Sequence, residues 1–479
     1  MTKDRSEDRA KKALKSGMWY SVSSICVKAI AIVTTPFFTR IMTKGEYGLA
    51  SNFNAWYSVF IIFCSLNLTY SIGRAKLDFP GKLEEYVGSM QLLSFLTTVV
   101  ICLICMPFVS PIAELLDMTV PLVYVLMVNL LLHPAVNFVQ SKFRYSYKYK
   151  GNIFIAGFTT VVSVTVSFAL MPVFDEAKQY AKILGSVTPI ALLSLAFWIH
   201  SIVKKNARVN LTYWKYGLAI SLPLIFHSLS LYILSQSDRV MITKMCGEDF
   251  NGIYTVAYSY AMLINIILSA ANEAWLPWFH DTFFDNDTDL IKKKVKPLIL
   301  LGCMLGIGCI AIAPEMMMVM GPSDYRLGVW AVPPITIGAV CQFIYQQYVH
   351  VELHMKQTKY ISIGTMVAAG LNLILNFIYI PKYGFIAAGY TTMVCYFVLM
   401  FAHFVINRAV LKIHLYDDWF MFASMGSTVL VCAGFMALYN TILVRYIILV
   451  CICAGYCIFN WKNAMAILNS FKGKRDISG

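Results

Sequence analysis

Apolar runs of roughly 20 residues recur from Met18 almost to the C-terminus, and each is long enough to cross a bilayer core of about 30 Å. Inside such a core every backbone N–H and C=O must be paired within the protein, which leaves α-helices or closed barrels. Barrel strands alternate apolar and polar residues over about 10 positions, whereas these runs are longer and continuously apolar. An all-α integral membrane protein is the fold class this pattern predicts. The sparse charge agrees: 13% of residues are charged, about half the share usual in a soluble domain. The first run follows the charged segment MTKDRSEDRAKKALKSG and continues past Thr34 without a small-residue cleavage site. It therefore reads as a retained helix and not as a signal peptide.

Fourteen spans are expected, near 18–39, 50–72, 87–109, 119–139, 153–174, 183–203, 216–237, 253–275, 298–320, 329–349, 361–380, 385–406, 419–438 and 443–461. With a cytoplasmic N-terminus the intervening inside segments carry 29 Lys and Arg and the outside segments 9, with Lys28 left inside the first helix. This loop-by-loop bias is the positive-inside pattern. It predicts that both termini are cytoplasmic and accounts for the net charge of +14 without a nucleic-acid partner. Every outside loop is short, and no GxxxxGK[ST] phosphate loop is present, so ATP hydrolysis by that route is not expected. The 13 cysteines, among them Cys102, Cys105, Cys451 and Cys453 within apolar runs, show no metal-ligand spacing and read as small apolar side chains.

Two passages repeat. TRIMTKGEYGLA (Thr39 to Ala50) follows the first expected helix and DRVMITKMCGEDFNGIYTVA (Asp238 to Ala257) the seventh, with Gly48 and Gly252 204 positions apart. KYKGNIFIAG (Lys148 to Gly157) and QTKYISIGT (Gln357 to Thr365) are also alike, with Lys150 and Lys359 209 positions apart. Two similarities at nearly one offset predict two six-helix bundles, 18–203 and 216–406. A cytoplasmic segment 1–17 precedes them, a cytoplasmic linker 204–215 joins them, and a helix pair 419–461 and a cytoplasmic tail 462–479 follow. Because six is even, the halves point the same way, a parallel repeat that suits alternating access.

The passages TPFFTRIMTKGEYG, SDRVMITKMCGEDFNGIYTVA and NLILNFIYIPKYGFIAAGYTT (Asn372 to Thr392) resemble the polysaccharide repeat-unit flippases. These Wzx-type proteins of O-antigen and capsule assembly belong to the multidrug/oligosaccharidyl-lipid/polysaccharide (MOP) exporter superfamily. The resemblance runs over essentially the whole chain. It implies a V-shaped pair of helical bundles around a central cavity in the bacterial inner membrane. It also implies that an undecaprenyl-pyrophosphate-linked oligosaccharide is carried from the inner to the outer leaflet, in company with polysaccharide-assembly proteins, with no cofactor and no enzymatic step.

Ionisable groups inside spans are costly, at least about 2.5–3.5 kcal/mol on insertion scales, and each needs a reason. Lys28, about ten residues into the first expected helix, is a candidate cation for a pyrophosphate, or else a snorkelling or paired lysine. Arg40 and Arg239 hold corresponding places in the repeat and suit bidentate phosphate contact, or pairing with Glu46 and Asp238. Arg74 closes the second expected helix on the entry side, as a substrate contact or a topology anchor. Glu273, Asp238 and His227 are the candidates for proton or sodium coupling. Asn272, Gln342, Gln346 and Gln347 suit sugar hydroxyls or interhelical bonds. HVELH (His350, Glu352, His354) resembles half a metal site, but its Glu points off the face of the two histidines, so no metal is expected. Two other readings compete: a small-molecule cation antiporter of the same superfamily, and a membrane polysaccharide polymerase or ligase, which would need a large outer loop.

Overall fold

A computed structural model of the chain describes residues 33–146, 148–204, 206–355 and 357–473, with isolated positions before them (backbone only at 274, 277, 457 and 459–473). Among the described residues there are helices and turns and no strand, as an apolar chain that must pair its own backbone requires. Nine helices are long and apolar enough to cross a membrane, or up to twelve if three bent pairs each count as one span. A further apolar helix, Ile442–Tyr456, is shorter, and the first expected span lies largely outside the described residues. The molecule is a multi-pass, all-helical membrane protein. The expected number of fourteen spans is not reached among the described residues.

The chain divides into two compact units. The first comprises Met1–Ser259, Val319–Gly328 and Ser362–Thr391. Helix Lys44–Ser65 lies at its centre and packs against Leu83–Cys105, Val120–Tyr145, Lys178–Val203 and Leu211–Cys246. Its start is fixed by a capping box: Thr43 Oγ1 accepts from Glu46 N, and the Glu46 carboxylate accepts from Thr43 N at 2.7 Å. The pairing satisfies two of the amides that a helix start leaves free. The other Glu46 oxygen accepts from Lys178 N at 2.7 Å and ties in the start of a second helix. Asn210 caps Leu211–Cys246 in the same way, through Thr212 N and Tyr213 N.

The second unit comprises Tyr260–Met318, Val329–Ile361 and Thr392–Gly479. Its core helix Thr288–Ala311 packs against Ile264–Phe284, Val332–His354 and Asp418–Ala437. Gly302 and Gly306 set the closest approach: a Cβ at Gly302 would lie 2.9 Å from Phe343 Cδ1, and one at Gly306 2.7 Å from Val340 Cγ2. The GxxxG spacing thus lets Val332–His354 sit against a side-chain-free stripe.

Several boundaries differ from the sequence expectation. The span expected over 50–72 is broken: Leu66 and Asn67 both adopt left-handed backbone angles (φ 48° and 52°), and the flanking pieces bend by 54°. The span expected over 216–237 runs from Leu211 to Cys246, so Asp238 and Arg239 lie in a helix and not in a loop. Lys182, expected just outside a span, sits inside Lys178–Val203.

Candidate functional site

The break at Leu66–Asn67 opens onto a cavity. Successive non-glycine residues in the left-handed region are unfavourable, by roughly 1–2 kcal/mol each, and such strain persists only where the surroundings hold it. Here Asn67 N donates to Ser65 Oγ at 3.3 Å, and Asn67 Nδ2 to the Leu224 carbonyl at 3.3 Å. A cavity of about 330 Å³ lies against this kink, lined by Ser65, Asn67, Asn137, Gln140, Arg144 and Ser228 among others. Its walls come from the broken helix, from Val120–Tyr145 and from Leu211–Cys246. Broken helices whose freed backbone lines a cavity are the recurring construction of transporter sites.

Arg74 stands beside this cavity. It lies on the short helix Ile72–Asp78, where a Cβ at Gly73 would come 2.7 Å from the Tyr145 ring and Lys76 Nζ donates to the Tyr145 carbonyl at 2.5 Å. Tyr145 and Arg144 both line the cavity. Arg74 is largely exposed and pairs with Asp78 at 3.1 Å, while Tyr216 Oη donates to the same carboxylate. Arg144 was not singled out from the sequence, where it reads as one of several basic loop residues.

A second polar centre surrounds Asp238, which is 1% exposed. Its carboxylate accepts from Tyr254 Oη at 2.6 Å and from Asn376 Nδ2 at 2.8 Å. Asn376 Nδ2 also donates to Asn372 Oδ1 at 3.2 Å, Ser237 Oγ donates to Asn372 Oδ1 at 3.0 Å, and Thr391 Oγ1 donates to Asn376 Oδ1. One carboxylate, two carboxamides and three hydroxyls thus converge from four helices, Leu211–Cys246, Glu248–Ala261, Thr358–Tyr383 and Ile386–Val405. Arg239, 7% exposed, turns its guanidinium to the Ser235 carbonyl (2.9 Å) and Gln236 Oε1 (3.0 Å) and stacks 4.2 Å from the Tyr258 ring centre.

The repeated passages meet directly. A Cβ at Gly48 would lie 2.0 Å from the Glu248 carbonyl oxygen, and one at Gly252 2.1 Å from that of Lys44. Lys44 and Glu248, like Gly48 and Gly252, are 204 positions apart, so the contact is reciprocal, as between two elements related by a two-fold axis. Ser51 and Thr255, at the same offset, share a 2.8 Å hydrogen bond.

The other expected site residues are dispersed. Lys28 lies outside the described residues. Arg40 is exposed and donates to the carbonyls of Pro36 (2.8 Å) and Val319 (3.0 Å). His227 is half-buried, 3.3 Å from Thr365 Oγ1. Glu273 is exposed on Ile264–Phe284, in the second unit. In that unit HVELH is divided among separate partners. His350 meets Asn272 at 2.8 Å, Glu352 meets His403 at 2.8 Å and Asn407 at 3.0 Å, and His354 meets His280 at 3.0 Å. Among the described residues no group of three or more His, Cys, Asp or Glu is placed to hold a metal ion.

Comparison with known proteins agrees with this architecture. The family model described as polysaccharide biosynthesis protein matches residues 13–283, more than half of the chain. Protein 1 of the Lsg locus of Haemophilus influenzae is 25% identical over 281 residues, 56% of this chain and 66% of that protein. The match thus spans just under two thirds of the relative's length. Among solved structures, the lipid II flippase MurJ in an inward closed conformation shares the fold at TM-score 0.67 and 12% identity, covering 93% of this chain and 100% of that one. A MOP superfamily transporter from Pyrococcus furiosus follows at TM-score 0.59 and 12% identity, with 84% and 96% covered. An inward-facing multidrug resistance MATE transporter of the same superfamily gives 0.54 and 14%, with 81% and 98% covered. The chain therefore belongs to the polysaccharide biosynthesis protein family, and its helices take the fold of the MOP superfamily.

Proposed function

We propose that the protein is a secondary flippase that carries a lipid-linked oligosaccharide repeat unit from the inner to the outer leaflet of the bacterial cytoplasmic membrane. The observation that carries this reading is the strained break at Leu66–Asn67, which opens a polar cavity walled by Arg144 and flanked by Arg74. A substrate with a phosphorylated head and hydroxyl-rich sugars needs those two kinds of group together: guanidinium forks for phosphate oxygens and carboxamides for sugar hydroxyls. The prenyl chain would stay in lipid. In this reading both termini face the cytoplasm, and two six-helix halves, 18–203 and 216–406, rock about the crossing of Gly48 and Gly252. The helix pair 419–461 braces the second half.

The cationic candidates take different parts. Arg74 and Arg144 receive the head group at the cytoplasmic mouth. Lys28 and Arg40 belong to later stages of the passage. The Arg239 fork is already engaged by Ser235 and Gln236 and supports the Asp238 centre. That centre is the coupling site of this reading. Its six clustered oxygen-bearing side chains offer the hard ligands that a small cation prefers, and a buried intramembrane carboxylate marks an ion or proton path by default. His227 and Glu273 are secondary coupling candidates.

Deleting the gene and following the lipid-linked oligosaccharide tests the proposal. The repeat unit is expected to accumulate at the cytoplasmic face, with surface polysaccharide lost and then restored by the wild-type gene. Normal surface polysaccharide in a strain with no second exporter rejects it.

A further inference from the structure

Lys182 differs from several cations of the first unit that have oxygen partners. Lys44 pairs with Asp249 and Asp324, Lys142 with Glu84, Lys178 with Asp175 and Arg74 with Asp78. Arg40 and Arg239 donate to carbonyl or carboxamide oxygens. Among the described residues Lys182 has neither an ion-pair nor a hydrogen-bond partner. Its ammonium lies 3.2 Å from the centre of the Tyr47 ring and 5.1 Å from that of Phe38. It sits one turn into Lys178–Val203, a helix apolar enough to span the membrane, where a cation without an anionic partner is expensive.

The lysine lines a cavity of about 320 Å³, together with Asn54, Ser163 and Ser167 among others and with no carboxylate among the described residues. Ser167 is 2% exposed, and the hydroxyls of Ser163 and Ser167 have no hydrogen-bond partner among the described residues. Both hydroxyls line the cavity beside the ammonium, so one ammonium and two hydroxyls are available there to an acceptor. Gly185 lets Lys178–Val203 pass this close, since a Cβ there would lie 2.0 Å from Ser167 Oγ. The rings of Tyr47 and Phe38 hold the ammonium electrostatically but offer the hydroxyls nothing.

We propose that this cavity is an anion site in which Lys182, Ser163 and Ser167 bind a carboxylate or phosphoryl group. That group is either carried on an acidic saccharide or taken as a free anion. The site stands on its own donors and does not depend on the flippase reading.

The test is a titration of the full-length protein in nanodiscs with sodium glucuronate and with inorganic phosphate. Each is compared with sodium chloride at equal ionic strength, and the melting temperature is followed. A saturable rise with glucuronate assigns a sugar carboxylate, and a rise with phosphate alone assigns a phosphoryl group. Either response should weaken at least tenfold in apparent affinity in Lys182→Gln and persist in Lys182→Arg. Asn54→Asp guards against a folding defect in Lys182→Gln, because it places a carboxylate in the same cavity. That variant should melt higher without added anion and no longer respond. No saturable rise with either anion in the wild type overturns the proposal, as does a wild-type response in Lys182→Gln or in Asn54→Asp.

Discussion

The two repeated passages, Thr39–Ala50 and Asp238–Ala257, meet in one helix crossing yet handle polarity in opposite ways. Where the first has Thr39, the second has Asp238. Thr39 Oγ1 is buried and donates to the Met320 carbonyl at 2.6 Å, a neutral bond that asks nothing of its surroundings. Asp238 is equally buried, but it gathers Tyr254, Asn376 and, through them, Asn372, Ser237 and Thr391. The arginines diverge as well: Arg40 reaches carbonyls from an exposed position, whereas Arg239 is buried against Tyr258. The glycines, by contrast, do the same thing in both copies. The two copies share a backbone contact while the side chains around it differ, so the proposed coupling site would belong to one copy alone.

The largest effect is expected at Asp238. Asp238→Ala leaves Tyr254 Oη without its acceptor and Asn376 Nδ2 with Asn372 Oδ1 alone, and with two buried hydrogen bonds lost the cost should be about 2–4 kcal/mol. Thr39→Ala removes one neutral bond and should cost about 1 kcal/mol. Denaturation midpoints of the two variants in one detergent compare them directly, and equal losses would remove the asymmetry.

Next come Gly48→Ala and Gly252→Ala. Each methyl would press on a backbone carbonyl that cannot swing aside, at about 1–3 kcal/mol. Reciprocity predicts similar losses in thermal melts of the two variants. A loss confined to one glycine would mean that the crossing is not symmetrical.

A smaller difference separates the arginines. Arg239→Lys gives up the planar stack on Tyr258 and the fork to Ser235 and Gln236, about 1–2 kcal/mol. Arg40→Lys, at an exposed site, should stay within about 0.5 kcal/mol of wild type. Chemical denaturation resolves the pair, and a larger loss at Arg40 would reverse the assignment.

The helices themselves were legible because nothing else satisfies 20 continuous apolar residues in a bilayer. The 204-residue offset between Gly48 and Gly252 was also readable, and the structure gives it a physical meaning as a reciprocal contact. The break at Leu66–Asn67 was not, because an average over an apolar window does not register two left-handed residues. The polar sequence Ser65, Asn67, Thr69 and Ser71 within that run was the available hint. Asp238 and Arg239 were recognised as charged but placed in a loop, because a charge near a span end is ordinarily read as its boundary. Of the partners of Asp238, Tyr254 lies in the same repeated passage, but Asn376 is 138 positions away, and no local pattern foretells that contact. Lys182 was missed for the same reason: its cavity is assembled from separate helices.

The central claim is that the Asp238 centre couples a cation to movement of a lipid-linked saccharide. Purified protein reconstituted into liposomes with a fluorescent prenyl-pyrophosphate-linked oligosaccharide measures it directly, by protection from a membrane-impermeant quencher under imposed sodium or proton gradients. The account predicts flipping that one of these gradients accelerates. Asp238→Asn should lose that acceleration at least tenfold while Thr39→Ala keeps it. Gradient-driven flipping in Asp238→Asn at the wild-type rate would contradict it.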